Sequence, residues 1–292
     1  MILAAIDIGS NATRLLIMQV EQYQGGQIDY TKLNFLRIPL RLGTEVFTSG
    51  YISEVKTRAL TNTMKIYASL MKLYKVTGYR ACATSAMRDA KNGAEIASAL
   101  KKDSGIDIQI ISGSEEADII YQTHIADNMN PARSYLYIDV GGGSTELILF
   151  SKGKITFKES FNIGTLRLLN HGVSDKQWKS LKSFIKMQTK GLGDLKAIGS
   201  GGNINKIQSL SKLKEEKLMS SELLNTYYEE LRNLSTPERM HFYHLRRDRA
   251  DVIVPALRIY TSVLRWADIS EIYIPKIGLA DGLIRMLFSE QK

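Results

Sequence analysis

Asp7-Ile8-Gly9-Ser10-Asn11-Ala12-Thr13-Arg14-Leu15 and Asp139-Val140-Gly141-Gly142-Gly143-Ser144-Thr145-Glu146-Leu147 align without a gap. Met1 to Ile6 and Leu15 to Val20 flank the first stretch as short apolar runs, and Tyr135 to Val140 and Leu147 to Phe150 flank the second. Each reads as strand, tight glycine turn, strand. A recurrence at so long a period argues for a duplicated domain rather than a solenoid.

Outward from the first hairpin, Gly25-Gly26 supports another turn before the alternating stretch from Gln27 to Arg37, so the chain opens with an antiparallel meander. From Ser53 the period becomes helical. Val55, Ala59, Leu60, Thr63, Ile66, Tyr67, Leu70, Leu73 and Tyr74 recur at helical spacing, with Ser53 as N-cap and Gly78 as the stop. Strand and helix signals then alternate: a strand at Tyr79 to Ala83, a helix from about Ala90 to Lys101, a strand at Ile106 to Ile111 and a helix from Ser114 to about Asp127. Asn130-Pro131 breaks the chain before the second hairpin. After it come a turn through Gly153, a helix from about Ser174 to Lys190, a strand at Leu195 to Ile198, and long helices at Leu218 to Leu234 and Asp248 to Trp266. A strand at Ile272 to Ile274 and a helix from Leu279 to Phe288 close the chain. This alternation predicts an α/β layer architecture. The expected domains are residues 1–126 and 127–278, with a final helix at about 279–292 packing back on the first.

Composition narrows the function. The 292 residues, 44% apolar and 24% charged, are ordinary for a globular chain of about two domains. One cysteine, Cys82, permits no internal disulfide; with no signal-peptide pattern at the amino terminus, a reducing cytoplasm is expected. No run approaches the roughly 18 uncharged apolar residues that cross a bilayer, since Val252 to Ile269 is interrupted by Arg258, Arg265 and Asp268. A soluble chain without a membrane partner is expected. The formal charge of +9 favours polyanions without naming one.

A strand that ends in aspartate and turns through glycine and hydroxyl residues can aim several backbone N–H groups at one point and hold a phosphate. The candidate phosphate binders are Gly9, Ser10, Asn11, Thr13 and Arg14 in the first turn, and Gly141, Gly142, Gly143, Ser144 and Thr145 in the second. A third turn, Ala197-Ile198-Gly199-Ser200-Gly201-Gly202-Asn203, lies between a strand and a helix and adds Gly201, Gly202 and Asn203. Asp7 and Asp139 sit beside the turns, where carboxylate and phosphate repel unless a hard cation lies between them. Mg²⁺ suits such oxygen ligands, so Asp7, Asp139 and Glu146 are its expected ligands. His241 and His244 lack the partner spacing of a zinc set, and Arg246, Arg247 and Arg249 nearby oppose a cation and suit an anion. Cys82, in an apolar strand, reads as packed core.

Together these turns resemble the actin, hexokinase and Hsp70 superfamily, and in detail the exopolyphosphatase and guanosine pentaphosphate phosphohydrolase family. The resemblance is carried by Ala5 to Asn11, Ala83-Thr84-Ser85-Ala86-Met87-Arg88-Asp89-Ala90, Ile111-Ser112-Gly113-Ser114-Glu115-Glu116-Ala117, Asp139 to Glu146 and Gly199 to Asn203. Asp248 to Ile253 and Gly278 to Gly282 are also similar to family segments. The resemblance implies two actin-like (ribonuclease H-like) domains with an interdomain cleft. It implies a hydrolase of phosphoric anhydrides acting there on terminal phosphates of inorganic polyphosphate, guanosine pentaphosphate or both, in the setting of the stringent response. It further implies Glu116, in preference to Glu115, as base toward the attacking water, Arg88 on the phosphate chain, and a homodimer. Ala12 stands where many members carry a second serine, and longer members have an added helical region after the point where this chain stops at Lys292. Two other readings compete: a small-molecule kinase of the same superfamily and a nonenzymatic guanosine-polyphosphate sensor. No helix-turn-helix, zinc finger or basic run interleaved with aromatics supports nucleic acid.

Overall fold

The computed structural model describes residues 1–121, 123, 130, 133–152, 154–213 and 218–291. The expected helix end at Asp127, the break at Pro131, the turn at Gly153 and the expected boundary at 126/127 lie outside the described residues. The chain divides into two compact units, Met1–Thr123 with Gly278–Lys292, and His124–Ile277.

In the first unit, β1 (Ile2–Ile8), β2 (Thr13–Gln22) and β3 (Ile28–Ile38) form the meander, and β4 (Gly78–Ala83) and β5 (Gln109–Ile110) extend it on the other side of β1. The order is β3-β2-β1-β4-β5, antiparallel in the meander and parallel from β1 to β5. β1 is buried along almost its whole length, as expected of a central strand covered on both faces. Helix α1 (Gly43–Ser49) and the long α2 (Glu54–Leu73) link β3 to β4. Leu60, Met64, Tyr67 and Met71 of α2 join the core beneath β1, β2 and β4. Then come α3 (Ser85–Asp89), α4 (Gly93–Ser104) and α5 (Gly113–Tyr121).

The second unit repeats the plan. β6 (Ser134–Val140), β7 (Thr145–Ser151) and β8 (Lys154–Phe161) form its meander, followed by α6 (Thr165–Leu169), α7 (Asp175–Gln188), β9 (Leu195–Ser200) and α8 (Gly202–Ser211). Next are β10 (Met219–Ser220), α9 (Ser221–Arg232), α10 (Thr236–Tyr243), α11 (Arg247–Ala250), α12 (Ile253–Trp266) and β11 (Glu271–Tyr273). The sheet order β10-β11-β9-β6-β7-β8 contains the order of the first sheet, β6 standing for β1 and β9 for β4, with β10 added at one edge. A separate core fills this unit, with α12 contributing Ile253, Leu257, Ile259, Tyr260, Val263 and Leu264. The last helix, α13 (Leu279–Glu290), packs on β1 and α5 of the first unit.

Some boundaries differ from the sequence expectations. Helix α2 stops at Leu73, five residues before Gly78: Lys75 takes the left-handed conformation at φ 54°, and the Val76 N–H closes onto Met71 O at 2.9 Å. Gly78 instead opens β4. The helix expected from Ala90 starts at Gly93, and Ser85–Asp89 is a helix of its own. The helix expected from Leu218 starts at Ser221, because Ser220 caps it by accepting from Leu223 N while Met219–Ser220 pairs with β11. The helix expected from Asp248 to Trp266 is two helices. Pro255 has no N–H and its ring excludes a helical carbonyl four residues earlier, at Asp251, where the chain turns.

Candidate active site

The two aligned turns sit at the carboxyl ends of β1 and β6, the end of a parallel layer where ligands bind in α/β folds. In the second unit the turn is clasped from one side. Gly141 O accepts from Thr165 N (3.0 Å), Gly142 O from Leu166 N (2.8 Å) and Gly143 O from Arg167 Nε (2.7 Å). In a trans peptide the N–H of the next residue points opposite to the carbonyl, so the N–H groups of Gly142, Gly143 and Ser144 face away from α6. Among the described residues none of these three N–H groups donates a hydrogen bond. Three consecutive N–H groups are thus directed outward, and the glycines serve a need other than the one expected. Gly9, Gly141, Gly142 and Gly143 do not take positive φ; what matters is room. A methyl on Gly164 would stand 2.5 Å from the backbone of Gly142 and Gly143, so only a glycine lets the start of α6 come this close.

The first unit builds its turn in the same way. Ser10 O accepts from Gly43 N (2.9 Å) and Asn11 O from Arg41 N (3.0 Å), which turns the N–H groups of Asn11 and Ala12 away from the start of α1. Ser10 Oγ is 2.7 Å from Ser85 Oγ, joining this turn to α3. Thr13 is fully buried with its carbonyl accepting from Tyr67, and Thr145 is fully buried with its hydroxyl donating to Ile163 O (2.6 Å). Gly164, Arg167, Arg41, Gly43 and Ser85 were not among the residues anticipated. The recurrence of Leu42-Gly43-Thr44 as Ile163-Gly164-Thr165 is a signal that could have found the two clasping segments.

The acids differ between the copies. Asp7 and Arg14 face each other across β1 and β2, and their side chains form an ion pair with Asp7 buried. Asp139 and Glu146 occupy the equivalent cross-strand places, so two acids share one face where the first copy has an acid and a base. Glu146 is buried and accepts from Ser160 Oγ at 2.9 Å. In the parallel register Asp139 also stands beside Ser200, and a side chain on Gly201 would lie 3.2 Å from Asp139 Oδ1. The third turn is thus brought to Asp139. Gly202 and Asn203 open α8, and Gly202 O accepts from the Arg249 guanidinium, so one of the three arginines belongs to this turn. Beneath it the Tyr260 hydroxyl donates to Ser200 O.

The Asp139 and Glu146 oxygens fit Mg²⁺, which binds through one or two carboxylates and completes its shell with water and phosphate oxygens. Among the described residues no group of three or more histidines, cysteines or acids could hold an ion with protein ligands alone. His241 meets the Phe242 ring edge-on, and His244 ends α10 in the left-handed conformation.

In the first unit, Arg88 Nη1 donates to Ile111 O (2.9 Å) and its Nε is 3.7 Å from Asp89. Ile111 leads directly into α5. There the two glutamates divide: Glu115 accepts from Ser112 N (2.7 Å) and Ser112 Oγ accepts from Glu115 N (3.1 Å), a capping box that holds the Glu115 carboxyl below its ordinary range. Glu116, half-buried, lies on the same first turn and is no part of that box. Cys82 is buried in β4, and burial first, then the Asp7 charge, pushes its thiol up to about 12, which leaves it unreactive.

The chain matches the Ppx/GppA phosphatase family model over residues 20–290. A bifunctional 3-dehydroquinate synthase/phosphatase of Fusobacterium nucleatum is 30% identical over 67% of this chain, which spans 31% of that protein's length. Among solved structures, an exopolyphosphatase from Cytophaga hutchinsonii superposes with a TM-score of 0.84 at 23% identity, over 99% of this chain and 98% of that one. The Aquifex aeolicus member of the Ppx/GppA family gives 0.77 at 22% identity, over 100% and 99%. The fold is therefore that of these structures, two actin-like domains. Among the described residues no helix is long and apolar enough to cross a membrane.

Proposed function

The chain belongs to the Ppx/GppA phosphatase family, and from that premise we propose that it hydrolyses terminal phosphoric anhydride bonds of inorganic polyphosphate, of guanosine pentaphosphate, or of both. The carrying observation is the pair of turns whose carbonyls are clasped from behind, leaving N–H groups directed outward at the carboxyl ends of two equivalent strands. That construction suits phosphoryl oxygens rather than a neutral ligand.

In this reading the substrate's phosphates engage the outward N–H groups of both turns. Mg²⁺, held by Asp139 and Glu146, would neutralise charge on the phosphate oxygens. Arg14 is committed to Asp7, which leaves the first turn electrically balanced without an ion. Arg88, anchored on Ile111 O, offers its remaining donors to the phosphate chain. Glu116 orients a water in line with the terminal phosphorus and accepts its proton as the new P–O bond forms and the bond to the rest of the chain breaks, the shortened phosphate leaving with the electron pair. The capping role of Glu115 supports this choice between the two glutamates.

The test supplies Mg²⁺ and compares orthophosphate release from polyphosphate and guanosine pentaphosphate. Release from either, slowed at least about a hundredfold in Glu116→Gln with binding retained, is the expected result. Phosphate transfer from ATP to a sugar without such release would favour a kinase, and tight binding of guanosine polyphosphates without turnover a sensor.

A further inference from the structure

We infer that Arg167 is a positioning residue that sets the orientation of the phosphate-binding peptides through the Gly143 carbonyl, without itself supplying charge to the phosphate. This rests on the phosphate reading of the second turn. Three consecutive carbonyls must point toward α6 if three consecutive N–H groups are to point outward. Backbone donors fix the first two, Thr165 N on Gly141 O and Leu166 N on Gly142 O. The third has no backbone donor: Gly143 O is held at 2.7 Å by a side-chain atom, Arg167 Nε. The peptide it fixes carries the Ser144 N–H, the last donor of the nest.

That peptide is the one free to rotate when the bond is lost. The chain on its far side re-enters the sheet at Thr145, and Gly143 has no side chain to hinder a flip. A flip would turn a carbonyl oxygen, rather than an N–H, toward the anion. In the first turn the corresponding carbonyl, Asn11 O, is held by a main-chain donor, Arg41 N (3.0 Å). The second turn therefore depends on a side chain for what the first secures by backbone, which makes its anion affinity open to single substitutions.

Which atom of Arg167 does the holding supplies the test. A glutamine at this place has its amide nitrogen, bonded to Cδ, where Arg167 has Nε, so Arg167→Gln retains the donor and removes the charge. Arg167→Lys retains the charge and puts a methylene where the donor was. With polyphosphate as substrate, Arg167→Gln is expected to keep KM within about threefold of the parent, and Arg167→Lys to raise KM about tenfold with kcat nearly unchanged. Tenfold is the worth of one hydrogen bond of about 1.4 kcal/mol. A purely structural role would instead lower kcat through loss of folded enzyme and leave KM alone. The reverse order, lysine near the parent and glutamine impaired, would overturn the inference in favour of direct charge on phosphate, and so would parental KM in both variants. Calorimetric titration of the parent with tripolyphosphate separates the two claims. No binding there defeats the phosphate reading itself, whereas binding by the parent with unaltered affinity in Arg167→Lys defeats only the role given to Arg167.

Discussion

At the scale of single residues, the chemistry turns on what faces each aspartate across its hairpin. Asp7 has a base opposite and Asp139 an acid. Removing the base leaves a buried carboxylate unbalanced. Arg14→Met should cost roughly 2–3 kcal/mol in urea unfolding, less than a fully buried pair because 29% of the Arg14 side chain is exposed. The glutamate pair supplies a second expectation. Glu115→Gln retains an oxygen for Ser112 N and should turn over within about threefold of the parent, against the hundredfold or larger loss in Glu116→Gln; equal losses in steady-state rates would dissolve the distinction. Much of this was legible in the sequence. The gapless alignment reveals both aspartates, and Ser112-Gly113-Ser114-Glu115 has the capping-box spacing that separates Glu115 from Glu116. Gly164 was marked only by the repeated Gly-Thr pair at Gly43 and Gly164, and the role of Arg167 was not legible, because it arises from the return of a distant segment onto a turn.

At the scale of elements, long periodic segments were readable and short ones were not. Helix α2 buries four apolar positions, Leu60, Met64, Tyr67 and Met71, and has a serine cap, whereas α1, α3 and α6 are five to seven residues long, too short to display a period. Yet α1 and α6 are the elements whose starts clasp the turns. Helix α13 shows a further dependence. It lies against α5, and a methyl on Gly282 would overlap the Ile119 carbonyl, so Gly282→Ala should push the helices apart and cost roughly 1–3 kcal/mol in chemical denaturation. Asp281, which accepts from Gly278 N, is half-buried, and desolvation of its carboxyl raises it above the ordinary value of 3.8. The folded state then holds a proton that the unfolded chain has released, so this group's contribution is complete below pH 3.8 and declines as pH rises through the folded-state value. Melting temperatures of Asp281→Asn, which retains an acceptor for Gly278 N, should fall less over that rise than those of the parent. Parallel pH profiles would show that the Asp281 carboxyl is not the cause.

At the scale of the whole chain, one sheet order is written twice, and that duplication is why the architecture could be read from a single sequence. The repeats have diverged where chemistry demands it: an ion pair against an acid pair, a backbone clasp against one completed by a side chain. The additions are as informative. β10, α9 and α10 elaborate only the second domain, and α13 leaves it to join the first. The central claim is that both turns hold the phosphates of one substrate. Amide chemical shifts of Glu116→Gln protein, titrated with tripolyphosphate in the presence of Mg²⁺, test it most directly. The N–H signals of Asn11 and Ala12 and those of Gly142, Gly143 and Ser144 should move together along one saturation curve; movement confined to one turn, or two curves with different midpoints, would contradict the claim.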